Sequence, residues 1–286
     1  MKKSTMIALI IAGSLFGIGI VICVIAGIMT GFRFDKTVFN SETPTVVTFD
    51  IKDEFDDIDI HTVSDDIEIL MAEGSKCTVT CTDTENVKHK AEVKDGKLTI
   101  SEENNSSWLK INFFVVSPEK KTKVYLPEGT YRNLKINTTS GDVSCRDKFT
   151  FSSMDIVTVS GEIGLSGTKT LETLNMNTTS GDIAISGTDT PGLTISTVSG
   201  DISLNNSAAG KKIGINTTSG DINILQPLSS DINISTISGD VKGTMSGYSI
   251  SHETVSGDVK LPGKNNGDKK CYIETVSGDI FISEAE

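Results

Sequence analysis

The sequence predicts an all-β fold, a parallel β-solenoid (β-helix) of about 20 residues per coil, behind one N-terminal transmembrane helix. Three observations lead there. A Ser-Gly-Asp triplet recurs at Ser140, Ser180, Ser199, Ser219, Ser238, Ser256 and Ser277, with Ser-Gly-Glu at Ser160. Columns aligned on that serine alternate apolar and polar with period two, as strands with one buried face do. Residues 6–29 form an uncharged run of 24, set off in composition from all that follows.

That run comes first along the chain. At 1.5 Å per residue it reaches about 36 Å, enough for the roughly 30 Å hydrocarbon core. Lys2 and Lys3 precede it, so residues 1–5 are expected in the cytoplasm and the remainder outside the cell membrane. A cleaved signal peptide shares the charged start, but its apolar region is normally shorter, and no good small-x-small cleavage site follows here. Gly13 and Gly17 form a GxxxG that would permit helix dimerisation. Residues 30–44 read as a polar linker. Without Lys2 and Lys3 the exterior part holds 24 basic against 38 acidic residues, a net charge of about −14 that argues against nucleic acid as a partner.

Residues 45–131 read as a β-rich cap or as degenerate coils. Thr62-Val63-Ser64-Asp65-Asp66-Ile67 is a worn copy of the repeat turn, and Ser64 lies 76 residues before Ser140, close to four repeat lengths. Trp108, Leu109, Phe113 and Phe114 are the densest aromatic group outside the anchor; cap packing is the expectation and an exposed carbohydrate or membrane contact the alternative. Cys77, Cys81, Cys145 and Cys271 could pair in three ways. Cys77 and Cys81 on one strand would stand about 13 Å apart, too far for a bridge. Cys145 and Cys271 fall in apolar columns and read as buried thiols.

Residues 132–283 hold eight coils, with markers 20, 20, 19, 20, 19, 18 and 21 residues apart. Six residues before each serine stand Leu134, Met154, Leu174, Leu193, Ile213, Ile232, Ile250 and Cys271. Four before it stand Ile136, Ile156, Met176, Ile195, Ile215, Ile234, His252 and Ile273; two before it, threonine is unbroken from Thr138 to Thr275. Beyond the turn, Val143, Ile163, Ile183, Ile202, Ile222, Val241, Val259 and Ile280 begin a second strand. A coil therefore runs along one face, bends, runs along the next, and returns through a variable connection. Such a circuit is roughly 65 Å around, and eight stack to some 38 Å. Right-handed coiling is expected from the strong preference of parallel crossovers.

The bends are structural turns: Gly141-Asp142, Gly161-Glu162, Gly181-Asp182, Gly200-Asp201, Gly220-Asp221, Gly239-Asp240, Gly257-Asp258 and Gly278-Asp279. Glycine there serves either positive φ or close backbone approach, and the carboxylate can accept from N–H groups one or two residues on. The threonine hydroxyls are expected to bond to their neighbours in adjacent coils. One carboxylate per coil supplies few of the 6–8 oxygens that calcium takes, so the acidic column reads as turn capping, with no metal and no cofactor. The last coil ends at Ile282, leaving an open end where Tyr272 and Phe281 form a candidate contact with a partner. His61, His89 and His252 lack metal-ligand spacing, and the acids recur evenly instead of clustering, so no enzyme is expected.

Leu126-Pro127-Glu128-Gly129 followed by Leu134-Lys135-Ile136-Asn137-Thr138-Thr139-Ser140-Gly141-Asp142-Val143 and further Ser-Gly-Asp coils resembles a bacterial family of domains of unknown function whose members are labelled "putative adhesins". The similarity covers about residues 45 to 283. It implies a surface-anchored, non-catalytic module that binds protein, glycan or cell-wall polymer. Some similar proteins are membrane-anchored accessories of cell-envelope stress systems in Gram-positive bacteria, which implies as the alternative an accessory acting through a membrane protein. The family has no established catalytic residues to carry over.

Overall fold

The structure, a computed structural model, describes residues 43–104, 120–263 and 265–285. The expected anchor with Gly13 and Gly17, most of the linker, and the Trp108, Leu109, Phe113 and Phe114 group lie outside the described residues. Among the described residues no helix is long and apolar enough to cross a membrane.

The described residues from 45 onward are built into strands. The first part contributes β1 (Thr45–Ile51), β2 (Asp57–His61), β3 (Asp66–Met71), β4 (Cys77–Asp83), β5 (Val87–Lys94), β6 (Lys97–Asn104) and β7 (Lys121–Leu126). Each repeat then supplies a long strand and a short one: β8 (Thr130–Asn137) with β9 (Val143–Cys145), β10 (Thr150–Val157) with β11 (Ile163–Ser166), β12 (Lys169–Asn177) with β13 (Ile183–Ser186), and β14 (Asp189–Ser196) with β15 (Ile202–Asn205). The pattern continues through β16 (Ala208–Asn216) with β17 (Ile222–Leu225), β18 (Leu228–Ser235) with β19 (Val241–Thr244), β20 (Tyr248–Thr254) with β21 (Val259–Lys260), and β22 (Lys269–Thr275) with β23 (Ile280–Ser283).

Long strands pair in parallel within one 11-stranded sheet and short strands within a 12-stranded sheet. The expected columns face each other between them. Leu134, Ile136, Met154, Ile156, Leu174 and Met176 from the long strands, and Val143, Cys145, Ile163 and Leu165 from the short ones, are all at most 2% exposed. Each such side chain contributes about 1.5–3 kcal/mol by leaving water. A further inward column begins the long strands. It is aromatic in the first coils, with Tyr131 and Phe151 rings 5.7 Å apart, and small in the middle, at Thr170, Thr190, Ala209 and Ser229. Tyr248 closes it, donating its hydroxyl proton within reach of the Ser229 carbonyl at 2.8 Å.

Two features differ from the expectation. The variable return is a second tight corner, turned by a residue with positive φ: Gly167 (70°), Gly187 (59°), Asn206 (44°), Gln226 (48°) or Gly247 (78°). Coils thus have two faces, and the alternation between 19 and 20 residues is absorbed inside the long strands by irregularities such as that between Thr190 and Gly192.

The coils also do not stack in chain order. β22 pairs with β18 on one side and β20 on the other, and β23 lies between β19 and β21, so the last coil in sequence is inserted before the seventh. Tyr272 and Phe281, expected at an open end, therefore sit one coil in: Tyr272 lies between Asn233 and Ser251, Phe281 between Lys242 and Lys260. The end coil is Tyr248–Lys260. It accounts for His252 in an apolar column, since the interior is open to water there and His252 is exposed. Its outer edge is not bare either, because the Asn265 side chain donates to the Ile250 carbonyl at 2.8 Å and accepts from the Ile250 N–H.

At the other end, β2 and β3 stack in parallel on β8 and β9, with Ile58 beside Leu134, Ile60 beside Ile136 and Ile67 beside Val143, so the worn turn at Ser64 does belong to a coil. β6 and β7 add a further parallel layer on β2 and β3. Beyond them β5, β4 and β1 run antiparallel, closing the stack with strands that follow a different rule.

Candidate functional surface

The Ser-Gly-Asp corner is where chemistry recurs, and its local sequence explains its shape. Thr217 points inward, Thr218 and Ser219 outward, Gly220 inward, and Asp221 outward. A Cβ on Gly220 would stand 1.8 Å from the carbonyl oxygen of Gly200, and the same collision recurs from Gly161 at 1.9 Å to Gly239 at 1.9 Å. Close approach of successive coils therefore requires glycine at this corner. At seven of the eight corners the glycine N–H is buried and is satisfied within its own coil: the Thr217 hydroxyl accepts from Gly220 N–H at 3.2 Å, and Thr138, Thr158, Thr178, Thr197, Thr236 and Thr275 do the same at 3.1–3.3 Å, whereas Gly257 in the end coil is exposed and the Thr254 hydroxyl has no partner. The expected threonine-to-threonine ladder is corrected by this arrangement; at this column it occurs between Thr62 and Thr138, 3.2 Å apart.

The carboxylates act between coils. Asp201 Oδ1 accepts from Asp221 N–H at 2.8 Å, Asp221 from Asp240 at 2.9 Å, Asp240 from Asp279 at 2.9 Å, and Asp279 from Asp258 at 2.8 Å. Bonds of 2.8–3.1 Å link Asp66 to Asp142, Asp142 to Glu162, and Asp182 to Asp201 in the same way. The partner is thus the next coil in the stack, not the next residue in the chain. Glu162 breaks the series: its longer side chain makes no such bond to Asp182 N–H among the described contacts. At Asp240, the Lys242 ammonium 2.9 Å away and the N–H of Asp279 hold the carboxyl below its usual range.

Beside this column runs a ridge that sequence reasoning missed. In stack order it is Val63, Thr139, Val159, Thr179, Val198, Thr218, Ile237, Val276 and Val255, each exposed and each β-branched. Backbone bonds such as Thr218 N–H to the Val198 carbonyl, 3.2 Å, fix one ridge residue above the next. The signal was present in the residue before each marker serine, but alternation alone assigns that position to solvent and asks nothing more of it.

A second constellation lies in the cap. Asp65 occupies the corner position that glycine holds elsewhere, and its side chain is fully buried. His89 of β5, also buried, places Nε2 2.8 Å from Asp65 Oδ2 and Nδ1 2.9 Å from Asp83 Oδ1. Thr122 donates to Asp65 Oδ2 at 2.6 Å. Burial disfavours the imidazolium, but the two carboxylates more than offset it and raise the His89 pKa. Glu102 stands opposite His89 in the β5–β6 register, and ligand atoms of Asp65, His89 and Glu102 all lie within 4.8 Å of one another. Histidine spacing could not reveal this group, because a corner and a cross-strand pair bring it together. Cys77, Cys81, Cys145 and Cys271 are free and buried.

A sequence profile described as Toastrack DUF4097 matches residues 55–286. Among solved structures, a "putative adhesin" from Bacteroides fragilis NCTC 9343 superposes with a TM-score of 0.55 at 16% identity, covering 86% of this chain and 98% of that one. A "putative lipid binding protein" from Parabacteroides distasonis ATCC 8503 gives a TM-score of 0.48 at 16% identity over 85% and 97%. The first shows a shared fold; neither transfers a ligand. No curated protein matches in sequence.

Proposed function

The chain belongs to the Toastrack DUF4097 family, and from that premise we propose that it is a non-catalytic, adhesin-like binding module held outside the bacterial cell membrane by its N-terminal helix. The observation that carries this reading is the corner ridge. Nine exposed β-branched side chains stand one per coil, flanked by a serine column and a carboxylate column. Valine, isoleucine and threonine have little rotamer freedom to lose, so a row of them presents a preorganised, partly apolar strip. Strand spacing sets its repeat at about 4.8 Å, which suits an extended, repetitive ligand such as a cell-wall polymer better than a compact metabolite. The 24-residue uncharged segment after Lys2 and Lys3 supports the anchoring.

The test is cosedimentation of the detergent-solubilised full chain with isolated cell wall, beside a Val159→Lys, Val198→Lys double variant. Both sites are about half exposed, at 45% and 48%, so the fold should tolerate the change. Retention by the wild type and at least tenfold weaker retention of the variant are expected. Equal retention would remove the ridge from the mechanism. Recovery only with a membrane sensor protein would favour the stress-accessory reading.

A further inference from the structure

We propose that Asp65, His89 and Glu102 bind one divalent metal ion of the zinc type, with Asp83 orienting His89. Three independent observations converge on it. The ligand atoms of these residues lie within 4.8 Å of one another and offer one imidazole nitrogen and two carboxylates, a donor set that with one water completes four-coordinate zinc. Asp65 Oδ1 and His89 Nε2 are both buried and both lack a hydrogen-bond partner. Nε2 is 2.8 Å from Asp65 Oδ2, yet that contact does not satisfy it as a hydrogen bond, so the group holds two buried polar atoms without a partner.

The third observation is the arrangement one step outward. His89 Nδ1 is 2.9 Å from Asp83 Oδ1, which fixes the tautomer that leaves Nε2 free to ligate. Thr122 holds Asp65 through Oδ2, leaving Oδ1 for the ion, and Val63 N–H holds Glu102 at 2.7 Å. Every ligand is thus positioned by a group that is not itself a ligand, as metal sites require. A bare ion pair would need neither Glu102 nor an orphaned Oδ1.

Geometry also explains why a carboxylate can stand here at all. In every later coil the corner Cβ would strike the carbonyl of the coil before it, and Gly141 would strike that of Asp65 at 1.7 Å. Asp65 opens the series, so its side chain has room to extend into the cap and meet His89. Glu102 is only half buried and offers the ion a way in. Cys81 nearby is 3.6 Å from the Thr122 hydroxyl, and burial pushes its pKa up to about 12, which keeps it a neutral thiol.

The experiment uses the full chain in mild detergent with its affinity tag removed, so that no added histidine competes. After equilibration with zinc and exhaustive dialysis, one zinc per chain by elemental analysis is expected, and a chelator should lower the melting midpoint by roughly 5 °C or more when zinc stood a hundredfold above its dissociation constant. Glu102→Gln should keep the circular dichroism spectrum and weaken zinc binding about tenfold or more, whereas Asp142→Asn in the acidic column should change nothing. No retained zinc together with one midpoint in zinc and in chelator would overturn the proposal, leaving a buried imidazolium between carboxylates. So would zinc bound equally by wild type and Glu102→Gln. If His89→Gln does not fold, the Glu102 variant alone decides.

Discussion

Replacing Gly220 by alanine places a methyl carbon 1.8 Å from the Gly200 oxygen and 2.6 Å from its carbonyl carbon. A carbon and an oxygen approach to roughly 3.3 Å even in favourable weak contacts, so the two coils must part by about 1.5 Å at this corner. Parting strains the Asp221 N–H bond to Asp201 (2.8 Å) and the Ser219 N–H bond to the Val198 carbonyl (3.0 Å), and it disturbs the buried Gly220 N–H held by Thr217. Two bonds at about 0.5–1.5 kcal/mol each and one buried donor at about 1–3 kcal/mol give a loss of about 2–6 kcal/mol. For a domain of this size that is a melting midpoint lowered by roughly 5–15 °C. Gly210 is the control, since a Cβ there meets nothing within 4 Å and its φ is not positive. Gly210→Ala should be neutral or slightly stabilising, by about 0.5 kcal/mol. Asp221→Asn keeps the acceptor for Asp240 N–H and should cost less than about 1 kcal/mol. Thermal melts of the three variants and the wild type, followed by circular dichroism at pH 7, decide the matter. Equal midpoints for the Gly220 and Gly210 variants would refute the argument that inter-coil approach fixes glycine at the corner.

Glu162→Asp should supply the missing rung to Asp182 N–H and stabilise the fold by about 0.5 kcal/mol, seen as a slightly higher urea midpoint; a lower midpoint would show that the ladder is incidental. Asp57 is held below its usual range by the Arg132 guanidinium, with further help from Asn133. Its contribution is therefore present above the unfolded carboxylate value of about 3.9 and lost as pH falls through the lower folded value. Arg132→Gln should flatten the loss of stability below about pH 4, and an unchanged profile would mean that this partly exposed pair contributes nothing. Burial pushes the thiols of Cys77, Cys81 and Cys271 up to about 12 and that of Cys145 to about 11. These four should resist iodoacetamide at pH 8 in the folded protein and react after unfolding, as mass spectrometry of the alkylated peptides would show; rapid native labelling would contradict their placement.

The two sheets were legible because their signal is local. Period-two alternation says which side chains of one strand leave water, and Leu134, Ile136 and Val143 are buried as that pattern requires. The worn turn at Ser64 was legible for the same reason, and its coil stacks on the first true repeat with Ile60 beside Ile136. The ridge was written just as plainly, at the residue before each serine, but exposure gives a position no partner from which to argue. The metal cluster was not legible, because Asp65 lies at a corner while His89 and Glu102 lie on two strands, and only the packing of the cap brings the three together.

The sequence alone determined the coil: its length, its inward columns, its corner, and the acidic residue beyond it. Only the tertiary structure decided how coils meet. It showed the corner carboxylate reaching the next coil in the stack, 19 to 21 residues away in most places, 39 between Asp240 and Asp279 and 76 between Asp66 and Asp142. It also placed the eighth coil between the sixth and the seventh. The intervals of 18 and 21 residues around Ser256, and His252 in an apolar column, were the traces of that exchange. They could not be read as such, because near-identical coils offer one another near-identical columns. Stacking order then depends on small differences in end exposure, which belong to the assembled stack and not to any one repeat.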